Sequence, residues 1–214
     1  MSVFLNTQSK HYQTKLLEEQ NIPGNPLTLF EQWFEEALSK EFIEPSAMNL
    51  STVSPDGVVS SRMVLLKAFN NKGFVFFTNY KSQKAKDLSI NKNVALTIWW
   101  DKLYRQVRIT GAAEKVLREE SVEYFRSRPI GSQLGALASQ QSTVIENYSV
   151  LEKEYERLEA MYKNQEVPCP EHWGGYLVVP LKIEFWQGRP NRLHDRLCYE
   201  KNSSDNWKVE RLSP

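Results

Sequence analysis

Apolar positions recur in two rhythms along this chain, and the changes between them mark its segments. Phe30, Trp33, Phe34, Ala37 and Leu38 fall three or four apart, the spacing of one helix face. Thr28 and Glu31 form a capping-box pair, which predicts that this helix starts at Thr28. From Met48 to Val116 the rhythm becomes alternation and short runs rich in β-branched and aromatic residues. MNLSTVS, Pro55-Asp56-Gly57 and VVSSRMVLLK read as a hairpin around a glycine turn. Asn70-Asn71-Lys72-Gly73 predicts the next turn and leads into GFVFFTN. A short polar helix over 82–90 interrupts before VALTIWW and LYRQVRITGAAEKV. Helical spacing returns over 118–162. There Ile145, Tyr148, Leu151, Tyr155, Leu158 and Tyr162 predict a long amphipathic last helix. After the Pro168–Pro170 break, GGYLVVP, IEFWQG, RLCYEK and WKVERL read as strands, the last two as a hairpin.

Strands on both sides of a helical insert imply that the later ones complete the first sheet. No Ser/Gly-rich linker or internal repeat separates two halves. The expectation is a single α+β domain over 27–214, with an antiparallel sheet or barrel and flanking helices. Residues 1–26 are polar and aperiodic and end in Asn21-Ile-Pro-Gly-Asn-Pro26, an arm with a turn. Its composition fits a tail better than a lid.

Charge narrows the function classes. The 214 residues carry 27 Lys+Arg against 26 Asp+Glu, a formal net charge of +1. That balance argues against a dedicated nucleic-acid binder or a polybasic membrane-surface protein. Any positive site must be concentrated locally. The longest apolar runs, such as 94–100 and 176–181, are strand-length and too short to span a bilayer. The first residues lack a signal-peptide pattern, and Cys169 and Cys198 are too few for a disulfide framework. A cytoplasmic protein is the expectation. Neither GxGxxG, P-loop, HExxH, GxSxG nor paired CxxC motifs occur. Cys169 and His172, three apart in a Pro-rich loop, form a weak ligand pair that reads better as structural, so no metal is expected.

Three basic clusters remain. Arg62 and Lys67 bracket the apolar MVLL, and their spacing of five puts them on opposite faces of a regular strand. Thr78 and Asn79 end the next strand before Lys81, Ser82, Gln83, Lys84 and Lys86 open a short helix. A helix N-terminus with added lysines suits an anion, and solvated surface lysines look the same. The second cluster is Tyr124, Arg126, Arg128 and Ser132, groups that converge on phosphate through charge-assisted hydrogen bonds. Its plain alternative is an arginine at a helix C-terminus stopped by Pro129. The third is Trp186-Gln187-Gly188 followed by Arg192-Leu193-His194-Asp195-Arg196. An extended segment would put Arg192, His194 and Arg196 on one face and Asp195 on the other. A salt-bridge ladder involving Asp195 is the alternative there. Two anion-binding sets beside an aromatic-rich sheet suggest one or two phosphorylated aromatic ligands.

RMVLLK (62–67), FFTNYKSQKA (76–85), RQV (105–107), YFRSRP (124–129), GSQLGA (131–136), QQS (140–142), WGG (173–175), IEFWQG (183–188), RLHDR (192–196) and the ending WKVERLSP resemble the pyridoxine/pyridoxamine 5′-phosphate oxidase family. PLTLFEQW and PSAM resemble its N-terminal region, so the likeness runs from about residue 26 to 214 in the family's order. What it implies is an antiparallel Greek-key split β-barrel that binds FMN, working as a homodimer with FMN sites shared across the interface. Arg62, Lys84, Gln141 and Ser142 would hold the FMN phosphate and neighbouring polar atoms, with Gln83 beside them. Met63, Val64, Leu65, Leu66, Lys67, Phe77, Thr78, Gln106, Trp186 and Arg196 would line the rest of the cofactor. Lys67, Tyr124, Arg128 and Ser132 would bind the substrate phosphate. Arg192 and His194 would be the catalytic residues at the substrate ring, with Leu193 and Tyr12 also touching substrate.

The implied reaction oxidises pyridoxine or pyridoxamine 5′-phosphate to pyridoxal 5′-phosphate, with O2 as the final acceptor and hydrogen peroxide as the by-product. Flavin would carry the redox step while the protein orients the reactants. Two departures from the family pattern stand out. Gln83 replaces the usual arginine of a Ser-Arg-Lys run, which removes a bidentate phosphate donor and predicts weaker FMN retention. Ser9 stands where an arginine often lies, which puts closure of the site by the arm in doubt. The rivals are a split-barrel flavoprotein acting on another substrate and a non-catalytic flavin or pyridoxal-phosphate carrier. The first is disfavoured because RLHDR and YFRSRP occur together, and the second because the implied hydride-acceptor site and the residues at C4′ are both kept.

Overall fold

The computed structural model describes Thr14 and residues 16–214. Five α-helices and nine strands are present among them: α1 Pro26–Leu38, α2 Gln83–Ile90, α3 Arg118–Ser127, α4 Ile130–Ala138 and α5 Ser149–Tyr162. The strands are β1 Ala47–Val53, β2 Val59–Leu65, β3 Ala68–Asn70, β4 Gly73–Asn79 and β5 Asn93–Trp100. They continue with β6 Arg105–Lys115, β7 Trp173–Gln187, β8 Asp195–Lys201 and β9 Trp207–Arg211. Hydrogen bonding links them in the order β2-β1-β5-β6-β7-β4-β3, with β8 pairing β7 and β9 pairing β8. The fold class is the expected α+β with a curled antiparallel sheet. No helix among the described residues is long and apolar enough to cross a membrane.

The chain forms two compact units, and β5, β6 and β7 each contribute residues to both. One unit takes in the described residues up to 45 together with 97–109 and 181–214. Its core is aromatic. Trp33 meets Phe185 edge-on at 5.1 Å, Phe185 meets Tyr199 at 5.8 Å, and Phe30 leans on Trp100 at 6.1 Å. Phe30, Ile98, Val107, Ile109, Ile183 and Leu197 are fully buried around them. Burying an aromatic or aliphatic side chain contributes roughly 1.5–3 kcal/mol, so this cluster fixes α1 against β7.

That helix starts two residues earlier than the capping box predicts. Asn25 caps it by accepting from the Leu27 N–H at 3.0 Å, and Pro26 occupies the first position, where it has no N–H to waste. Phe30, Trp33 and Ala37 are buried as expected, whereas Leu38 is exposed. Hydrogen bonds also hold the described part of the arm. Thr14 Oγ1 donates to the Gly188 carbonyl at 2.6 Å, and Arg211 holds Glu19 in an ion pair at 2.6 Å.

The other unit, residues 46–96 and 110–180, contains the first predicted hairpin and the turn predicted after it, while the predicted β8–β9 hairpin forms in the first unit. β1 and β2 pair antiparallel from Ala47↔Leu65 to Val53↔Val59, around a turn with Gly57 at φ 79°. β3 and β4 pair with Asn70 opposite Gly73. A Cβ at Gly73 would collide with the Val178 carbonyl on the neighbouring β7, so the strands approach here because the side chain is absent. GGYLVVP and IEFWQG are one 15-residue strand, not two, because Pro180 is accommodated without breaking it. α5 begins at Ser149. Ile145 and Tyr148 match its period but precede it and are exposed, so the helix is shorter than predicted. Leu158 joins Phe125, Leu134, Val167 and Trp173 in an apolar cluster beneath α3, α4 and α5.

Candidate functional site

A cavity of about 480 Å³ opens in the second unit, and two of the three basic clusters meet in it. β2 supplies Met63, Val64 and Leu65 to its wall, and the end of β4 supplies Phe77, Thr78 and Asn79. Lys84 enters from the first turn of α2, Tyr124 from α3, and Arg128 and Ser132 from the α3–α4 corner. Lys67 also lines it. The chain leaves the β2 ladder at Leu65, so Lys67 lies past the strand end and the opposite-faces expectation for Arg62 and Lys67 fails. The Lys67 N–H bonds instead to the Val75 carbonyl at 2.9 Å.

At one side of the cavity stands Lys84, buried, its Nζ donating to Thr78 Oγ1 at 3.1 Å and Ser82 Oγ at 3.4 Å. Thr78 Oγ1 donates onward to Gln141 Oε1 at 3.2 Å. Among the described residues no carboxylate pairs with Lys84. Burial, and then the nearby positive charge of Arg62, hold its pKa below the usual lysine value. Arg62 does not line the cavity; its Nη1 donates to Thr52 Oγ1 at 2.6 Å. Burial lowers its pKa while Asp87 opposes. Buried Asp87 accepts from Thr52 Oγ1 at 2.7 Å and from Gln83 Nε2 at 2.9 Å. Gln83 thus spends an amide donor within its own helix. Leu66 is buried, its N–H on the Ser46 carbonyl, and Ser142 is exposed with a left-handed φ of 71°.

Arg128 forms the other side. Its guanidinium lies 4.7 Å over the Trp173 ring and 5.7 Å over Phe125. Nη1 is buried and has no hydrogen-bond partner. Burial lowers the arginine's pKa, and it raises that of the neighbouring Tyr124 phenol. Tyr124 stacks on Phe77 with centroids 4.0 Å apart. Buried Gln133 donates to the carbonyls of Arg126 and Arg128, at 3.2 and 2.8 Å, and so fixes the α3–α4 corner. An orphaned buried guanidinium nitrogen is a donor waiting for an anion. These residues fit the FMN and phosphorylated substrate that the resemblance implies: unneutralised cations for two phosphates, with aromatic and aliphatic walls between.

The third cluster belongs to the first unit. Arg192, His194 and Arg196 do not share a face. Pro190–Arg192 is a short 3-10 turn in which Asn191 and Arg192 have φ of 57° and 62°, and β8 begins only at Asp195. Left-handed backbone at two successive non-glycine residues is strained, as functional loops often are. Arg192 and Leu193 are exposed. His194 Nδ1 accepts the Arg189 N–H at 3.1 Å and its ring lies 4.5 Å from Trp186. Burial, then the charge of Arg192, lower the imidazole pKa. Arg196 is engaged: Nε and Nη2 reach Glu184 at 2.9 and 3.1 Å, and Nη1 donates to the Ser213 carbonyl at 2.8 Å. Asp195 is buried and bonded to Arg211 at 2.7 Å. The salt-bridge reading therefore holds for Asp195 and Arg196, with partners outside the cluster. Gln106 and Trp186 are half-buried on β6 and β7. Tyr12 and Ser9 lie outside the described residues.

Sequence reasoning missed Asp87, Glu184 and Trp173 as partners of the cations. Asp87 was signalled by its i,i+4 spacing from Gln83, and Trp173 by its place in WGG. Among the described residues no group of three or more His, Cys, Asp or Glu is placed to hold a metal ion.

Comparison with known proteins agrees with this geometry. Residues 34–162 match the family described as Pyridoxamine 5′-phosphate oxidase, and residues 173–214 match the Pyridoxine 5′-phosphate oxidase C-terminal dimerisation region. A pyridoxine/pyridoxamine 5′-phosphate oxidase from Gloeothece citriformis is 54% identical over 96% of both chains. One from a Cyanothece species is 49% identical over 100% of both. Among solved structures, PhzG from Burkholderia lata, in complex with tetrahydrophenazine-1-carboxylic acid, has a TM-score of 0.88 at 28% identity. It covers 93% of this chain and 98% of its own. A pyridoxamine 5′-phosphate oxidase-related FMN-binding protein from Nostoc punctiforme shares the fold at a TM-score of 0.71 and 14% identity. That match covers 87% of this chain and 96% of its own.

Proposed function

The chain belongs to the pyridoxamine 5′-phosphate oxidase family, and on that premise we propose that it converts pyridoxine or pyridoxamine 5′-phosphate to pyridoxal 5′-phosphate with FMN as cofactor. The observation that carries this reading is one cavity with cations at both sides, Lys84 and Arg128, neither paired with a carboxylate among the described residues. Two phosphorylated ligands side by side need such an arrangement. We assign the functional unit as a homodimer in the cytoplasm, with FMN sites at the subunit interface.

Held by these residues, FMN would supply a hydride acceptor at N5, with O2 as the final acceptor and hydrogen peroxide as its product. The chain's own residues bind and orient. We assign Lys84, Gln141 and Ser142, with Arg62 and Gln83 behind, to the cofactor phosphate and its neighbours. Met63 to Leu66, Phe77, Thr78, Gln106, Trp186 and Arg196 go to the remainder of the cofactor. Lys67, Tyr124, Arg128 and Ser132 take the substrate phosphate. Anchoring the phosphate turns hydride loss from C4′ into a reaction of a held substrate, where effective-concentration gains are largest. Arg192, with Leu193 and Tyr12, orients the pyridine ring and the C4′ group. His194, whose Nδ1 accepts the Arg189 N–H and which therefore carries its proton on Nε2, positions the ring through that Nε2–H. For the alcohol substrate the hydroxyl proton leaves as C4′ is oxidised. For the amine, water hydrolyses the resulting imine and ammonia departs.

The test is the visible spectrum of FMN-loaded protein under anaerobic conditions, before and after pyridoxamine 5′-phosphate, then with air. Loss of the flavin band on adding substrate, and its return with air as pyridoxal 5′-phosphate appears, is the expected result. A flavin band indifferent to both phosphorylated vitamers overturns the substrate assignment.

A further inference from the structure

Three arginines lie on or just beyond α3, and they are treated differently. Arg118 donates to the carbonyls of Trp173 and Cys169, at 2.8 and 2.7 Å. Arg126 pairs with Glu166 at 2.5 Å. Arg128 has no acid partner among the described residues, and its Nη1 is buried without any acceptor. A buried cation is expensive unless something offsets the lost hydration. What faces this guanidinium is the π surface of Trp173, 4.7 Å away, with the Phe125 ring at 5.7 Å.

Trp173 is itself held. It is buried in the cluster with Phe125, Leu134, Leu158 and Val167, meets Phe125 edge-on at 5.1 Å, and stacks on Phe77 at 5.3 Å. Its carbonyl accepts from Arg118, which ties the strand end to α3. The ring therefore has little freedom to follow the guanidinium.

We propose that Trp173 is a positioning residue for substrate: its indole face holds the Arg128 guanidinium in place of a carboxylate, leaving Nη1 free for the substrate's phosphate. This inference rests on the reading of the cavity given above. The physical logic is that of a partner which does not compete. An aspartate under Arg128 would occupy its donors and cancel its charge, and a phosphate would have to displace it. An aromatic face attracts the cation through its quadrupole and uses no N–H. The donors stay available and the geometry stays fixed. Arg128 is poised rather than neutralised, and the preference is for a doubly charged phosphate over a neutral group.

The test compares Trp173→Phe, which keeps a smaller π face, with Trp173→Met, which fills space without one. Measurements on the FMN-loaded protein are kcat and KM for pyridoxamine 5′-phosphate, the FMN dissociation constant, and the melting temperature. Inorganic phosphate binding is followed separately by 31P line broadening, with Arg128→Lys as a reference. The expected result is a KM raised about tenfold in Trp173→Met and less in Trp173→Phe, on the scale of a desolvated cation–π contact. With it go a kcat within about twofold, unchanged FMN affinity and a parallel loss of phosphate binding. Equal KM values in wild type and Trp173→Met overturn the inference. So does a loss of kcat, FMN affinity and melting temperature together, because that marks a core residue only. Were neither vitamer oxidised by wild type, the assigned reaction would fail. The phosphate arm would still decide the role of Trp173: weaker phosphate binding in Trp173→Met supports it, and unchanged binding overturns it.

Discussion

The cations around β7 and β8 and those around the cavity are held in opposite ways. Around β7 and β8, Glu184 takes Arg196 through two hydrogen bonds and Arg108 through a third, while Asp195 takes Arg211. Around the cavity, Lys84 rests on hydroxyls and Arg128 on rings, and Nη1 of Arg128 has no hydrogen-bond partner among the described residues. The first arrangement is finished as it stands. The second is complete only with anions supplied from outside. Counting basic residues in a cluster therefore says less about ligands than asking which of them already own a carboxylate.

The largest break in that contrast comes from Arg128→Met. It keeps the volume over Trp173 and removes a charge-assisted donor set, a loss of about 2–3 kcal/mol. Steady-state kinetics should show KM for pyridoxamine 5′-phosphate rising roughly 30–100-fold, with melting temperature unchanged or higher, since a buried unpaired cation has gone.

Glu184→Gln attacks the other side. It leaves Arg196 and Arg108 around a neutral amide, and partial exposure of both arginines trims the cost to about 2 kcal/mol. Chemical denaturation should register that loss, while KM for substrate should move far less than in Arg128→Met. If the two variants exchange signatures, the division between finished and unfinished charge is wrong.

Gln83→Arg is a smaller, sharpening change. Gln83 donates to Asp87, the carboxylate nearest Arg62. An arginine there would neutralise Asp87 and add a phosphate donor. The expectation is FMN bound several-fold tighter, about 1 kcal/mol, with kcat at saturating FMN unchanged. Fluorescence titration of FMN reads it directly, and an unchanged affinity would sink the idea that this position weakens retention.

The mildest effect is one of pH. The Lys84 pKa is lowered in the folded protein, first by burial and then by Arg62. Between that lowered value and the usual 10.5 the unfolded chain binds more protons, so the ligand-free protein gains stability as pH rises through this window. FMN affinity moves the other way and falls once the ammonium starts to lose its proton. Lys84→Arg should flatten that alkaline loss. A wild-type affinity that stays constant through pH 10.5 would remove Lys84 from the cofactor phosphate.

Much of this was legible in the residues themselves. The β1–β2 hairpin follows from alternation around Pro55-Asp56-Gly57, and α2 from a polar run after Asn79, because turns and helix starts are local. The cavity's clusters were visible for the same reason: Tyr124, Arg128 and Ser132 sit within nine positions. What could not be read was pairing at long range. Trp173 under Arg128 is 45 positions away, and Thr52 beside Asp87 is 35 away. Local geometry misled at Lys67, which lies past the end of β2, and again at Arg192. Extended spacing was assumed where the backbone turns left-handed, and nothing in Pro190-Asn-Arg-Leu demands that conformation.

The ties of the arm bear on how the chain is made. Thr14 bonds to Gly188 and Glu19 to Arg211, contacts separated by 174 and 192 positions. Trp173 is the last-made residue of the cavity wall, and Gly188 and Arg211 follow it 15 and 38 positions later. At the pace of a ribosome those positions take on the order of seconds. Through that interval Thr14 and Glu19 lack these partners, so the phosphate cavity can close before those two ties form.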